Sequence, residues 1–200
     1  MPEIYQGKFG VGAGHPLIRL LRFQERASAR FASRVLTSEH TKREALIAHG
    51  LPAEKIAVLL NVPDPRLFPP SPPRPARPPA AGFRLVFHGT LAERLGVDLA
   101  LRAVALLGDR IPGLRLDIIG DGDQRPALLA LRDELGLSGR VHFSDGMVPV
   151  EALPGLLAEA DLGVIPTREE IGTRYMLPTK LLEYAALGIP AVVAPTHTIR

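Results

Sequence analysis

From Phe83 to Ala194 the chain alternates short apolar runs with stretches of helical period. The runs FRLVFH (83–88), LRLDIIG (114–120), RVHF (140–143), DLGVIP (161–166) and IPAVVA (189–194) have the length and β-branched content of strands. Between them, GVDLALRAVALLGD (96–109), RPALLALRDELG (125–136) and PVEALPGLLAEA (149–160) place apolar residues every three or four positions, and a shorter helix opens within LPTKLLEYAALG (177–188). Strands alternating with helices predict βαβ units and a parallel sheet covered on both faces. The expected class is α/β, with a parallel-sheet second domain.

The pattern before Pro63 is thinner. HPLIRLLRFQERASARFASR (15–34) has a helical period, with Leu17, Leu20, Leu21, Gln24, Ala27, Phe31 and Ala32 along one face. VLTS (35–38) and IAVLLN (56–61) predict two short strands around a helix in EHTKREALIAHG (39–50). Two strands and two helices bury too little surface to close a doubly wound domain, so more of this domain is expected upstream. At the other end APTHTIR leaves the last strand without a following helix, and the chain is expected to be a piece of a longer protein. Nine prolines between Pro63 and Pro79 favour an extended connector. The expected domains are therefore 1–68, a partial first domain; 69–82, a proline-rich linker; and 83–200, the second domain.

Composition narrows the chemistry. A chain of 200 residues that is 46% hydrophobic and 22% charged suits a globular protein. The absence of cysteine removes disulfides, thiolate metal sites and cysteine nucleophiles, and fits a reducing cytoplasm. No apolar run approaches the ~20 residues of a spanning helix, so a cytoplasmic location is expected. A net charge of +3 leaves room for anionic partners. Arg19, Arg22, Arg26 and Arg30 follow each other at helical spacing, which reads first as a solvated face and second as contact with anionic membrane at the inner face. No nucleic-acid partner is expected.

In open parallel sheets ligands bind beyond the carboxyl ends of the strands, and the polar residues of 83–200 gather there. HGTLAERLG (88–96) offers Gly89, Thr90 and Arg94; GDGDQ (120–124) offers Gly120; SDGM (144–147) and TREEIGTRYMLPTK (167–180) follow. GDGDQR begins like a dinucleotide fingerprint but has Arg125 where the third glycine belongs. Asp121 and Asp123 form an isolated D-x-D, too short to imply a metal, and none is expected. The six histidines lack zinc-site spacing, and neither a Walker A loop nor G-x-S-x-G occurs. If Thr179 caps the last helix, its free N–H groups form an anion site with Lys180 beside it, and Glu183 lies one turn deeper on the same face. A phosphate at the helix start would leave a neighbouring sugar near Glu183, whose carboxylate accepts from two adjacent hydroxyls. The alternative is a solvated glutamate on a surface helix.

LPTKLLEYAALGIPAVVA, together with IAVLLNVPDPRLF before the linker and FHGTLAERLGVDLAL after it, resembles the family-4 retaining glycosyltransferases of the GT-B fold. The resemblance implies two Rossmann-like domains, the second binding a nucleoside diphosphate sugar and the first most of a sugar or lipid-linked acceptor. It implies that Glu183 is the second glutamate of an E-x7-E motif and holds the ribose hydroxyls, and that Leu177, Pro178, Thr179 and Lys180 lie against the diphosphate. Gly89, Thr90 and Arg94 would form the loop that neutralises the diphosphate, with Arg94 and Lys180 assisting the leaving group. The first glutamate falls at Tyr175, as in a subset with a Pro-x-Lys turn, and Thr90 and Leu95 replace the usual loop pair. The implied activity is sugar transfer to an acceptor hydroxyl with retention, needing no cofactor and no metal; this piece alone is expected to be inactive. A nucleotide-sugar epimerase and a non-catalytic nucleotide-binding fragment are the alternatives.

Overall fold

The computed structural model describes residues 2–72 and 82–200, which fold into two compact units. One comprises Met1–Asn61, Glu169–Leu177 and Pro195–Arg200; the other comprises Val62–Arg168 and Pro178–Ala194. Most of the expected linker, 73–81, lies outside the described residues.

In the first unit, α1 (Pro2–Phe9) and α2 (Pro16–Phe31) precede β1 (Val35–Thr37), α3 (His40–Ala48) and β2 (Ile56–Val58). Proline at the first position of α2 costs no hydrogen bond, and the His15 ring Nδ1 accepts the Leu17 N–H at 3.2 Å. β1 and β2 are parallel, Val35 opposite Ile56, and their small core holds Ala29, Leu46, Leu51 and Ile56. The strands and α3 fall where the alternation predicts them. The helix α1 is an addition, since PEIYQGKF has no apolar stripe.

The second unit strings together β3 (Phe83–His88), α4 (Val97–Leu107), β4 (Leu114–Ile119), α5 (Arg125–Glu134), β5 (Val141–Phe143), α6 (Leu153–Leu157), β6 (Leu162–Ile165), α7 (Thr179–Ala186) and β7 (Ala191–Val193). Its sheet runs β5-β4-β3-β6-β7, parallel throughout. All five strands lie within the predicted runs. Apolar residues on both faces of the central strands, such as Val86, Phe87, Leu116 and Ile118, are buried as a doubly covered sheet requires. The main core joins Phe68, Val86, Leu157, Ile165, Tyr184 and Ile189. Phe68, expected to end the first domain, instead belongs to this core, because an aromatic ring of its size gains more from the interior of the second unit than from an extended connector. Residues 169–177 and 195–200, expected within the second domain, belong to the first unit, where Glu39 accepts the Leu177 N–H at 2.8 Å and Thr198 Oγ1 meets Thr41 Oγ1 at 2.9 Å.

Candidate functional site

The strand order places the topological switch between β3 and β6: the chain leaves β3 outward to β4 on one side and returns through β6 to β7 on the other. A crevice at the carboxyl ends of these two strands is where such sheets take ligands. His88 ends β3, Gly89 and Thr90 follow it, and α7 packs against β6 with its first turn at the same rim.

Two glycines shape the rim. Gly120 has φ 144°, and a Cβ there would meet the Gly89 carbonyl oxygen at 2.0 Å, so the loops after β3 and β4 lie backbone against backbone. Gly89 donates its N–H to Ile119 O at 2.9 Å, and Leu91 donates to Asp121 O at 2.8 Å. Gly89 itself has φ 115°, and a Cβ there would stand 3.3 Å from Lys180 Nζ. The absent side chain leaves space for that ammonium.

Lys180 is buried on α7, with Nζ 3.9 Å from the centre of the Phe87 ring. Burial pulls its pKa down to about 8, against a smaller opposing pull from Glu183. Burial likewise raises the Glu183 carboxyl, partly offset by Lys180. Both charged forms are short of solvation in the free protein. An anion beside Lys180 would supply part of what burial removed, and hydroxyls at Glu183 would do the same for its carboxylate.

The Thr179 expectation needs correction. Pro178 holds the cap position with extended backbone (φ −65°, ψ 123°), and Thr179 is the first residue inside the helix. Proline's locked φ and its lack of a polar side chain explain this: no side chain caps α7, so its leading N–H groups are uncovered by any side chain of their own turn. The helix start therefore presents its leading N–H groups without a threonine cap. Gly188 closes the other end in a paired arrangement, Ile189 N–H to Tyr184 O at 2.9 Å and Gly188 N–H to Ala185 O at 3.1 Å.

The predicted residues divide. Gly89, Lys180 and Glu183 come together on β3 and α7, with Gly120 packed behind Gly89. Thr90 and Arg94 are exposed on the loop after β3, Arg94 within a short 3-10 turn, Glu93–Leu95. Leu177 belongs to the first unit, its N–H held by Glu39. Asp121 spends one carboxylate oxygen on the Gly122 N–H at 2.8 Å and Asp123 is exposed; among the described residues no three His, Asp or Glu side chains gather to hold a metal. Of the arginines on α2, Arg22 lies 3.8 Å from Glu3 and Arg26 donates to His49 O at 2.8 Å, so both have partners in their own unit.

Sequence reasoning missed three residues. His88 and Tyr184 stand edge to face, 5.1 Å apart, beneath Glu183. Arg168, just beyond β6, grips Asp98 through two nitrogens at 2.8 and 2.6 Å and the Glu93 carbonyl at 2.6 Å. That grip holds the Asp98 carboxyl below its usual range and ties the end of β6 to the start of α4. Position was the available signal: His88 directly precedes the rim glycine, Tyr184 directly follows Glu183, and Arg168 stands three residues beyond a strand end.

Residues 82–200 match the family described as "Glycosyl transferases group 1". The putative colanic acid biosynthesis glycosyltransferase WcaL of Escherichia coli is 30% identical over 150 residues, which are 74% of this chain and 36% of that protein. The GDP-mannose-dependent alpha-(1-6)-phosphatidylinositol monomannoside mannosyltransferase of Mycolicibacterium smegmatis is 34% identical over 110 residues, 51% of this chain and 27% of that protein. The chain thus spans about a third of the length of these relatives. Among solved structures, HepE of Anabaena in complex with UDP superposes with a TM-score of 0.72 at 23% identity, over 94% of this chain and 52% of HepE. Sucrose-phosphate synthase of Thermosynechococcus elongatus superposes with a TM-score of 0.68 at 21% identity, over 94% of this chain and 47% of that one. These likenesses establish the GT-B glycosyltransferase fold.

Proposed function

We propose that this chain, which belongs to the group 1 glycosyl transferases, carries the donor site of an enzyme that moves a sugar from a nucleoside diphosphate to an acceptor hydroxyl with retention at the anomeric carbon. The observation that carries the reading is Lys180: a nearly buried cation beside Gly89, at the uncapped start of α7, with Glu183 one turn away. A diphosphate against Lys180 and the first N–H groups of α7 recovers the solvation that burial removes. Glu183 then takes the ribose hydroxyls. Arg94, on the loop after β3, adds a second cation at the outer side. The complexes of HepE with UDP and with UDP-glucose support this choice of ligand.

The chemistry follows from where charge grows. As the glycosyl bond breaks, negative charge accumulates on the diphosphate, and Lys180, Arg94 and the helix N–H groups stabilise it more in the transition state than before. No protein nucleophile is required, and no metal enters the route. Retention belongs to a front-face path in which the departing phosphate oxygen takes the acceptor proton. A thermal-shift panel of UDP, GDP, ADP and dTDP tests the donor site directly. One of them at 100 times its Kd should stabilise the fold by about 2.7 kcal/mol. A chain stabilised by none of the four would contradict the reading.

A further inference from the structure

His88 is the last residue of β3, immediately before the rim glycine, and its side chain is only 5% exposed. One face of its surroundings is the Tyr184 ring, whose hydroxyl is itself committed to Val86 O at 3.1 Å. On the other side its Nε2 stands 3.1 Å from Glu183 Oε2. Both atoms are sealed from solvent, and among the described residues neither has a well-aligned hydrogen-bond partner; the pair is close but not in line. The Glu183 side chain retains 16% exposure, so what it shows to solvent lies outside Oε2.

We infer that His88 is a positioning residue for Glu183: a slight turn of ring or carboxylate across the 3.1 Å between them brings the neutral imidazole's Nε2–H into line with the inner carboxylate oxygen and leaves the outer one toward the hydroxyls of the ligand. The inference deepens the nucleotide reading and rests on it. A cation in this place would neutralise Glu183 and compete with the ligand, whereas a neutral N–H orients the carboxylate and leaves its charge in place. The groups facing the ring favour the neutral form. Burial and the Lys180 ammonium hold His88 down to about 3, outweighing the Glu183 carboxylate beside it, and the Tyr184 phenol is pushed up and stays protonated. Without the donor, Glu183 would keep its burial and lose the bond that favours its charged form. Its pKa would rise, and a protonated carboxyl accepts fewer hydroxyls.

The test begins on the ligand-free chain. Nitrogen-15 spectra should show the His88 ring neutral with the proton on Nε2 from pH 5 to 8. In carboxyl carbon-13 titrations, Glu183 should titrate about one unit higher in His88→Leu, which fills the space without a donor. His88→Gln, which keeps an N–H near the same place, should return toward wild type. With UDP and uridine as probes, His88→Leu should weaken both by about tenfold, leaving their ratio unchanged, and His88→Gln should recover most of the loss. A residue that only packs would be replaced better by leucine than by glutamine, so the reverse order overturns the inference. So does a proton on Nδ1 with Nε2 bare, or a folded His88→Leu in which Glu183 titrates as in wild type. If the titrations behave as expected while wild type binds neither probe, the coupling of His88 to Glu183 stands and the nucleotide reading falls.

Discussion

The two units treat their aromatic residues in opposite ways. In the second, Phe68, Phe87 and Tyr184 are buried in or against the core of a five-stranded sheet. In the first, Phe9, Phe23 and Phe31 are exposed, Phe31 by 96%, beside a two-stranded sheet with a core of four small or aliphatic side chains. Buried area is the main source of stability, so the second unit is the better-built of the two. The difference also explains where the site lies. Phe87 forms the floor under Lys180 and Tyr184 braces His88, so core and candidate site are made from the same rings.

Truncating a ring of the second core is the strongest way to break this comparison. Tyr184→Ala should cost about 3–5 kcal/mol in urea denaturation and remove nucleotide binding with it. Ile56→Ala in the first unit should cost about 2 kcal/mol, because a shallow core collapses more easily around the gap. Hydrogen exchange sharpens the contrast without mutation: amides of β3 and β4 should exchange much more slowly than those of β1 and β2. Equal protection in both sheets would contradict it.

Smaller changes separate packing from polar contributions. Tyr184→Phe keeps the ring and loses the bond to Val86 O, and should cost about 1 kcal/mol. Arg168→Ala should cost about 1 kcal/mol at most, since its pairing with Asp98 is well aligned but both side chains are about a third exposed. Salt should weaken that contribution further, which denaturation at two ionic strengths would reveal.

Much of the second unit was legible because each strand is an apolar run bounded by turn residues, and a parallel sheet buried on both faces needs such runs. The division of the chain was less so. Residues 169–177 and 195–200 join the first unit through bonds such as Leu177 N–H to Glu39, separated by 138 positions, and no local pattern encodes that pairing. In the site, Lys180 and Glu183 were visible through helical spacing, and Gly89 through the strand end before it. The threonine cap failed because a proline one residue earlier already set the helix start. His88 and Tyr184 stayed hidden because a lone histidine ending a strand and a tyrosine in a helix read as ordinary core. Their role depends on β3 and α7 being neighbours, which only the fold supplies.

The central claim, that the corner of β3 and α7 holds a nucleoside diphosphate, is tested most directly by calorimetric titration of UDP and uridine into wild type, Lys180→Ala and Glu183→Ala. Glu183→Ala should weaken both ligands at least about tenfold, because each brings the ribose. Lys180→Ala should weaken UDP by a similar factor and leave uridine nearly unchanged. The pH dependence follows from Lys180, which carries its charge below about 8 in the free protein. A bound diphosphate raises that pKa, so UDP affinity should fall as the pH rises above 8, and Lys180→Ala should abolish that fall. A folded Glu183→Ala that binds both ligands like wild type, or a UDP affinity indifferent to Lys180, would contradict the account.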